Sequence, residues 1–340
     1  MTRFPEAVLL LIVGVVLGPD GLSLLSDRVL AIVDPAMPVA LVALGMLVGV
    51  HSSVQGRREK WLFAAAATEA AITGTVVTAG LLLTTPIGGS PPVLIALVLG
   101  VCAASSAAAS WRPAAERMIA ERIGELDALL PIAVGAAALA WLRTPSLAEA
   151  ILLALQACGV ALVIVAATWL LIARAASEIE QRVFTVALLL LLGGAADYLS
   201  LSSLLSGLVA GLFLERVGGP ARDAISRNVL QFERPLIALV LLVIGARVDL
   251  PPAAVGLGVA FLVLRSSGKL VGGWMAARVA GTVTPRQLGA GLLAPGVLGL
   301  AFALNAVRVT GPEGAIILGA ATVGTVGSEL IAALVRREPS

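Results

Sequence analysis

Long apolar segments separated by short polar ones follow one another along the whole chain. These segments predict twelve helices, several of them short, because segments of this length and composition are typical of membrane spans. Their approximate ranges are residues 5–18, 36–50, 61–83, 92–110, 120–142, 147–172, 183–197, 202–214, 235–248, 253–279, 286–306 and 314–335. The pattern predicts an all-α polytopic membrane protein with a single membrane domain over residues 1–340.

Composition agrees with that class. Of the 340 residues 59% are hydrophobic and 13% are charged, whereas a soluble domain has about 25% charged residues. Two cysteines, both inside apolar segments, indicate no disulfide framework, and the single His51 excludes a histidine-rich metal cluster. We expect no cofactor, no cleavable signal and no enzymatic activity, since the sequence lacks HExxH, paired-aspartate and nucleophile-elbow motifs.

The basic residues are distributed unequally between the two faces of the predicted membrane domain. If the twelve helices alternate in direction, seventeen of the 23 Lys and Arg lie on the side that holds both termini, and the opposite side holds only Arg28, Arg143, Arg247 and Arg308. Cytoplasmic loops carry an excess of such residues. We therefore expect a multi-pass protein of the cell membrane with both termini in the cytoplasm.

Two cations lie inside one apolar segment. Arg265 and Lys269 are four residues apart and share a helical face. Nine residues separate Lys269 from Arg278, the next charge, which corresponds to a depth of roughly 13 Å, near a bilayer midplane. A cation at that depth costs at least ~2.5 kcal/mol, so Lys269 should face protein or a water-filled cavity and have an acidic partner. Snorkelling to the interface is the alternative.

The chain also contains a long-range internal similarity. The segment LVALGMLV at 41–48 resembles LLVIGARV at 241–248, and five helices over 5–142 match five over 202–335 in order and character. Equivalent helices are seven apart, so the two copies have opposite orientations. Inverted repeats of this kind are typical of transporters, although chance similarity between apolar segments is the alternative.

Two of the predicted helices contain interruptions at corresponding repeat positions. Residues 92–110 contain Ser105 and Ser106 among small residues, and residues 286–306 contain Pro295, Gly296 and Gly299. Proline removes a helix donor and glycine weakens a helix, and such interruptions survive in a membrane only where protein or a cavity satisfies the backbone. Matched interruptions predict an ion site near the midplane. Close helix packing through small residues is the alternative.

Several stretches resemble Kef-type monovalent cation:proton antiporters of the sodium/hydrogen exchanger superfamily. They are FPEAVLLLIVGVVLGPDGLSL at 4–24, ADYLSLSSLLSGLVAG at 196–211, LVIGARVDL at 242–250 and the helix with Arg265 and Lys269. The resemblance implies the sodium/proton antiporter fold, with a dimerisation domain and a core domain that holds two crossing broken helices. It implies that Asp127 is the ion-binding acid, that Lys269 faces it, and that Ser105 and Ser106 are polar residues of the crossing.

The sequence departs from the family in three places. The family has one more helix at the N-terminus, and Val297 stands where many members carry an acid in the second broken helix. Glu121, Arg122 and Glu125 precede Asp127 where apolar residues are usual. These charges indicate that Asp127 lies near the cytoplasmic surface, where an ordinary helix-start carboxylate is the alternative role.

Other acids are weaker candidates. Glu69 lies eight residues inside the predicted helix 61–83 and is either a second ion-site acid or the partner of a polar atom on a neighbouring helix. Arg265 is included among the candidate ion-site residues because it shares a face with Lys269. Asp197 and Asp249 are expected to be connecting or solvated carboxylates.

These observations together predict exchange of Na⁺ or K⁺ for protons by alternating access, with Asp127 binding cation or proton and Lys269 sharing the proton traffic. Alternatives are a sodium-coupled organic anion carrier of related fold and a non-transporting or regulatory membrane subunit. We expect no C-terminal nucleotide-binding domain, since no glycine-rich fingerprint follows the last helix, and a separate cytoplasmic regulatory subunit is possible. Close-spaced glycines, Gly14/Gly18 and Gly207/Gly211, predict a homodimer through the helices that carry them.

Overall fold

The computed structural model describes residues 6–52, 56–84, 92–107, 114–144, 146–175, 177–281, 285–310 and 312–335. The chain ends, Arg112 and the last residues of the predicted segment 92–110 lie outside the described residues. All regular elements in the described part are α-helices: α1 Glu6–Leu17, α2 Asp27–Val33, α3 Ala36–His51, α4 Gly56–Thr84, α5 Pro92–Ala104, α6 Ala114–Leu126, α7 Leu129–Arg143, α8 Leu147–Ile172, α9 Glu178–Tyr198, α10 Ser203–Val217, α11 Gly219–Arg247, α12 Pro252–Ala280, α13 Pro285–Gly291, α14 Val297–Thr310 and α15 Pro312–Val335.

Length and composition confirm the prediction of a polytopic membrane fold. In the described part of the chain seven spans are long and apolar enough to cross a bilayer, one of them built from α6 and α7 together. The pair α2 and α3, bent by 49°, would be an eighth, and α1, α5 and α14 contain shorter apolar helices. An apolar length of about 20 residues matches the hydrocarbon thickness of a membrane.

The predicted helices differ most from the observed ones in three places, of which the first is α2, Asp27–Val33, which was not predicted. Helix α11 begins at Gly219 rather than at 235 and continues through Pro235. The first half of α11 is polar on average but has one apolar face, on which Ala221, Ile225 and Val229 are buried in a core cluster. Mean hydropathy alone does not detect such a face. The predicted segment 120–142 is two helices, α6 and α7, which meet at Asp127 and Ala128.

The described residues form two compact units. The first unit consists of Met1–Ile12, Val54–Ala138 and Arg247–Ser340, and the second consists of Val13–Ser53 and Leu139–Ala246. The second unit is built around a buried apolar cluster of residues from α3, α8, α9, α10 and α11. All of the candidate ion-site residues belong to the first unit.

Glycines permit close helix contacts inside the second unit. A Cβ added at Gly207 would lie 2.0 Å from the carbonyl oxygen of Val42 on α3, and one at Gly14 would lie 2.4 Å from that of Leu242 on α11. Gly18 and Gly211 make similar contacts with the same two helices. These glycine faces pack within one protomer, so the expectation that they face a partner is wrong. The homodimer stays a prediction without that support.

Helix α6 is fixed in the first unit by its apolar face. Ala120, Ile123 and Leu126 are buried in a cluster with residues of α4, α12 and α13. The spacing of three residues puts these side chains on one side of the helix. The C-terminus of α6 is thereby held beside α4 and α12, and Asp127 follows directly.

Candidate functional site

The two interrupted segments cross in the first unit. Helix α5 ends at Ala104, and the second interruption separates α13 from α14 over residues 292–296. Ser106 and Pro295 form an isolated antiparallel β-bridge, and the amide N–H of Ala107 donates to the carbonyl oxygen of Ala294 over 2.9 Å. Extended backbone at this depth is satisfied by protein, as the constraint on membrane interiors requires. The predicted crossing of two broken segments is therefore present.

Gly299 allows the second segment to approach the first. It lies in the first turn of α14, not in the interruption itself. A Cβ at this position would lie 2.4 Å from the carbonyl oxygen of Cys102 and 3.0 Å from Ser105 Oγ. Gly296 also lies close, with a hypothetical Cβ at 3.1 Å from the carbonyl oxygen of Ser106. Only the absence of a side chain at Gly299 permits the observed packing without displacement of α5.

Arg265 joins the two interruptions. Its side chain is fully buried, and it donates to the carbonyl oxygens of Leu293 over 2.7 Å and of Ser105 over 3.1 Å. Carbonyls just beyond the end of a helix lack an intrahelical donor, and a buried one must find another. The described hydrogen bonds of Arg265 hold the two interruptions together, and this indicates a structural role at the crossing rather than contact with the transported ion.

Lys269 lies beside the same crossing and is fully buried. Its ammonium nitrogen donates to Ser106 Oγ over 2.6 Å, to the carbonyl oxygen of Ala104 and to the carboxylate of Glu69 over 3.0 Å. Lys269 lies four residues after Arg265, so α12 supplies two cations to the end of α5. Snorkelling to the interface is excluded by these contacts.

Glu69 is the nearest acid to Lys269. It is fully buried on α4, and Thr73, one turn further along, donates to its Oε1 over 2.7 Å. Glu69 and Lys269 are 200 residues apart, the same offset that relates the two similar sequence segments. Glu69 therefore lies closer to Lys269 than Asp127, the acid that the family resemblance pairs with it, whose Oδ2 is 3.6 Å from the same nitrogen.

Asp127 is also fully buried, and the expectation that it lies near the surface is wrong. Its Oδ2 is 3.6 Å from Lys269 Nζ, and its Oδ1 accepts from the amide N–H of Ser106 over 3.4 Å. Two of the charges before it are paired: Arg122 donates to Glu59 on α4 over 3.0 Å and to Glu125 over 2.9 Å.

Two buried polar atoms at the crossing have no hydrogen-bond partner. They are Asp127 Oδ2 and Ser105 Oγ. Buried polar atoms are nearly always bonded, so these two unbonded atoms are candidate ligand atoms of the site. Asp127 Oδ2 is an acceptor that could take a proton or contact a cation. Val297, which stands where an acid was expected from the family, is the first residue of α14 and adds no third carboxylate.

Sequence reasoning missed three groups at this site. Thr73 lies four residues after Glu69, so the spacing alone puts the two side chains on one face of α4. The carbonyl oxygen of Ala104 could not be predicted as an acceptor for Lys269, because an alanine side chain does not indicate that a helix ends there. The sequence did identify Glu69, Asp127, Arg265 and Lys269. It did not identify Glu329, a buried acid of α15 whose charge acts on Arg265.

Comparison with solved structures gives a clear match for the fold. The sodium proton antiporter MjNhaP1 from Methanocaldococcus jannaschii superposes with a TM-score of 0.66, over 98% of this chain and 92% of that chain, at 17% sequence identity. No protein-family model and no curated protein matches the sequence. At that identity the likeness concerns architecture, not the residues of the site. The chain therefore has the sodium/proton antiporter fold.

Proposed function

We propose that this protein is a secondary active transporter that exchanges a monovalent cation for protons. One observation carries the proposal: a buried lysine lies between two buried carboxylates beside two crossing helix interruptions, and Oδ2 of Asp127 has no hydrogen-bond partner. Charges at such depth are costly and mark ion or proton pathways. The shared fold with a sodium proton antiporter supports the same reading.

The chemistry of exchange follows from the oxygen atoms available. A desolvated alkali cation needs oxygen ligands, and Asp127 supplies a charged one while Ser105 Oγ supplies a neutral one. Protonation of Asp127 removes the negative charge that holds the cation. Cation and proton therefore compete for a single carboxylate, which couples their movements in opposite directions.

Transport also requires that Asp127 be reached from one side of the membrane at a time. The present arrangement buries Asp127, Glu69 and Lys269 completely, so a change of conformation must open a path. The charge distribution supports a position in the cell membrane with both termini in the cytoplasm. The homodimer stays a prediction from the family resemblance. Na⁺ and K⁺ are the candidate substrates.

Proton flux in vesicles that contain the protein tests the proposal. Everted membranes or liposomes carrying an interior pH probe would be challenged in turn with Na⁺, K⁺ and Li⁺. We expect at least one cation to drive proton movement in the wild type, and Asp127→Asn to abolish it. Asp197→Asn, the same chemical change outside the site, is the matched control and should transport.

Three other results would contradict the proposal. Absence of flux with every cation, in a protein shown to be folded and inserted, would favour a non-transporting subunit. Sodium-driven uptake of an organic anion without proton exchange would favour a carrier of related fold. Normal flux in Asp127→Asn would show that the carboxylate is structural and would make Glu69 the acid to test.

A further inference from the structure

We propose that Glu329, a buried acid of α15, is a positioning residue of the exchange site: it balances the charge of Arg265 and thereby keeps the crossing attractive to a cation. The inference rests on the exchange function proposed above and adds a residue that determines its cation affinity. Glu329 acts on the site through Arg265 and not as a ligand of the ion.

Helices α12 and α15 pack side by side and run in the same direction. Leu262 packs against Gly327, and Gly258, one turn earlier on α12, packs against the residue one turn earlier on α15. Three further residues on each helix bring Arg265 level with about residue 330, next to Glu329. Both side chains are buried, with exposed fractions of 1% and 7%. The packing therefore puts Arg265 and Glu329 at the same depth in the first unit.

Both side chains also lie beside the second interruption. Arg265 donates to the carbonyl oxygen of Leu293 over 2.7 Å. Ala332, three residues after Glu329 and on the same face of α15, packs in a buried cluster with Leu293 and Ala294. At this separation the charge of Glu329 acts on Arg265. The acid and the cation thus meet at one end of the crossing.

The charge of Arg265 needs balance from acids that it does not bind directly. Both of its described hydrogen bonds end on neutral carbonyl oxygens. Glu69 and Asp127 act on it most strongly, followed by Glu329. However, Glu69 and Asp127 also lie 3.0 and 3.6 Å from Lys269. Two cations therefore share those two carboxylates, and Glu329 is the acid that faces Arg265 without that competition.

The count of buried charges shows what Glu329 adds to the site. In the part of the chain that the structure describes, two cations and three carboxylates are buried: Arg265, Lys269, Glu69, Asp127 and Glu329. Without Glu329, the two remaining carboxylates would be balanced by the two cations, and the crossing would no longer favour an additional positive charge. Charges interact strongly where water is excluded. Glu329 should therefore strengthen cation binding.

Cation-driven proton flux in liposomes containing the full chain tests this role. Glu329→Gln should raise the KM for the driving cation several-fold and leave the maximal rate unchanged, because the ligand atoms stay in place. Glu329→Asp keeps the charge and should keep a KM near that of the wild type. Ser328→Ala is the matched control, since this neighbouring side chain is buried, uncharged and without a hydrogen-bond partner. An unchanged KM in a folded Glu329→Gln protein would overturn the inference.

Thermal unfolding in mild detergent tests the charge balance without depending on transport. Glu329→Gln and Arg265→Gln should each lower the Tm, and the double variant should lose less than the sum, because neither charge is then stranded. Additive losses would overturn the inference. If Glu329→Gln alone does not fold, recovery of folded protein in the double variant supports the inference, and its failure to fold overturns it. A wild type without flux for any cation would refute the proposed function, and this comparison would still decide whether Glu329 balances Arg265.

Discussion

Lys269 Nζ lies 3.0 Å from the carboxylate of Glu69, with both side chains fully buried and 200 residues apart in sequence. The pair joins α4 to α12. Removal of one partner strands the other charge at low dielectric, whereas removal of both by neutral groups of similar shape does not. The stability of the first unit therefore depends on Lys269 and Glu69 together rather than on either residue alone.

We predict that Lys269→Ala lowers the free energy of unfolding by ~3–5 kcal/mol, because Glu69 is left as an unpaired buried carboxylate. Lys269→Met combined with Glu69→Gln should recover most of the loss. Thermal denaturation of the purified proteins in mild detergent measures both effects. Equal destabilisation by the single and the double change would show that the ion pair does not set the stability.

The loss in Lys269→Ala should depend on pH. Protonation neutralises a stranded carboxylate, so the variant should regain stability relative to the wild type as pH falls. The wild type, whose Glu69 is paired, should show no such recovery. Melting temperatures of both proteins over a series of pH values measure the difference, and a gap that widens on acidification would contradict the explanation.

Gly299→Ala should disturb the crossing. The new Cβ would lie 2.4 Å from the carbonyl oxygen of Cys102, which requires α5 or α14 to move. We expect lower thermal stability and at least several-fold slower cation-driven proton flux. Gly256→Ala on α12 is the matched control, because its Cβ meets nothing within 4 Å and alanine is favoured over glycine inside a helix by up to ~1 kcal/mol. Equal behaviour of the two variants would show that the close approach is unimportant.

Arg265→Lys should weaken the crossing despite keeping the charge. Arg265 reaches two carbonyls on different segments with two nitrogens of one planar group, and a lysine ammonium does not reproduce that fork. We expect a loss of roughly 1–3 kcal/mol, the penalty for an unsatisfied buried acceptor. Urea or thermal unfolding measures it, and a variant as stable as the wild type would show that the clamp is dispensable.

The sequence predicted the class of the fold and the main charged groups of the site. Both could be predicted because long apolar segments in water and charges inside a membrane each cost free energy unless the fold accommodates them. Apolar segments of membrane length require helices, and Lys269, Arg265 and Glu69 inside such segments require partners. The proline and glycines of 286–306 located one interruption for the same reason. The free-energy cost of burying a charge or interrupting a helix therefore identified residues of the candidate site.

Other features depend on tertiary contacts that no local pattern encodes. Asp127 was placed near the surface from its charged neighbours, but it is buried, and Arg122 beside it pairs with Glu59 on another helix. Lys269 was paired with Asp127, and the structure adds Glu69 as a second and closer acid. Gly14 and Gly207 were read as partner-facing, although their faces are occupied within the protomer. Sequence spacing determines which side chains share a face, not what that face contacts.

In the proposed exchange, Asp127 holds a proton that a monovalent cation displaces. The most direct test is proton release when Na⁺, K⁺ or Li⁺ is added to purified protein in weakly buffered detergent solution. We expect release of protons by the wild type with at least one cation, and none by Asp127→Asn. Equal proton release from a folded Asp127→Asn protein would contradict it.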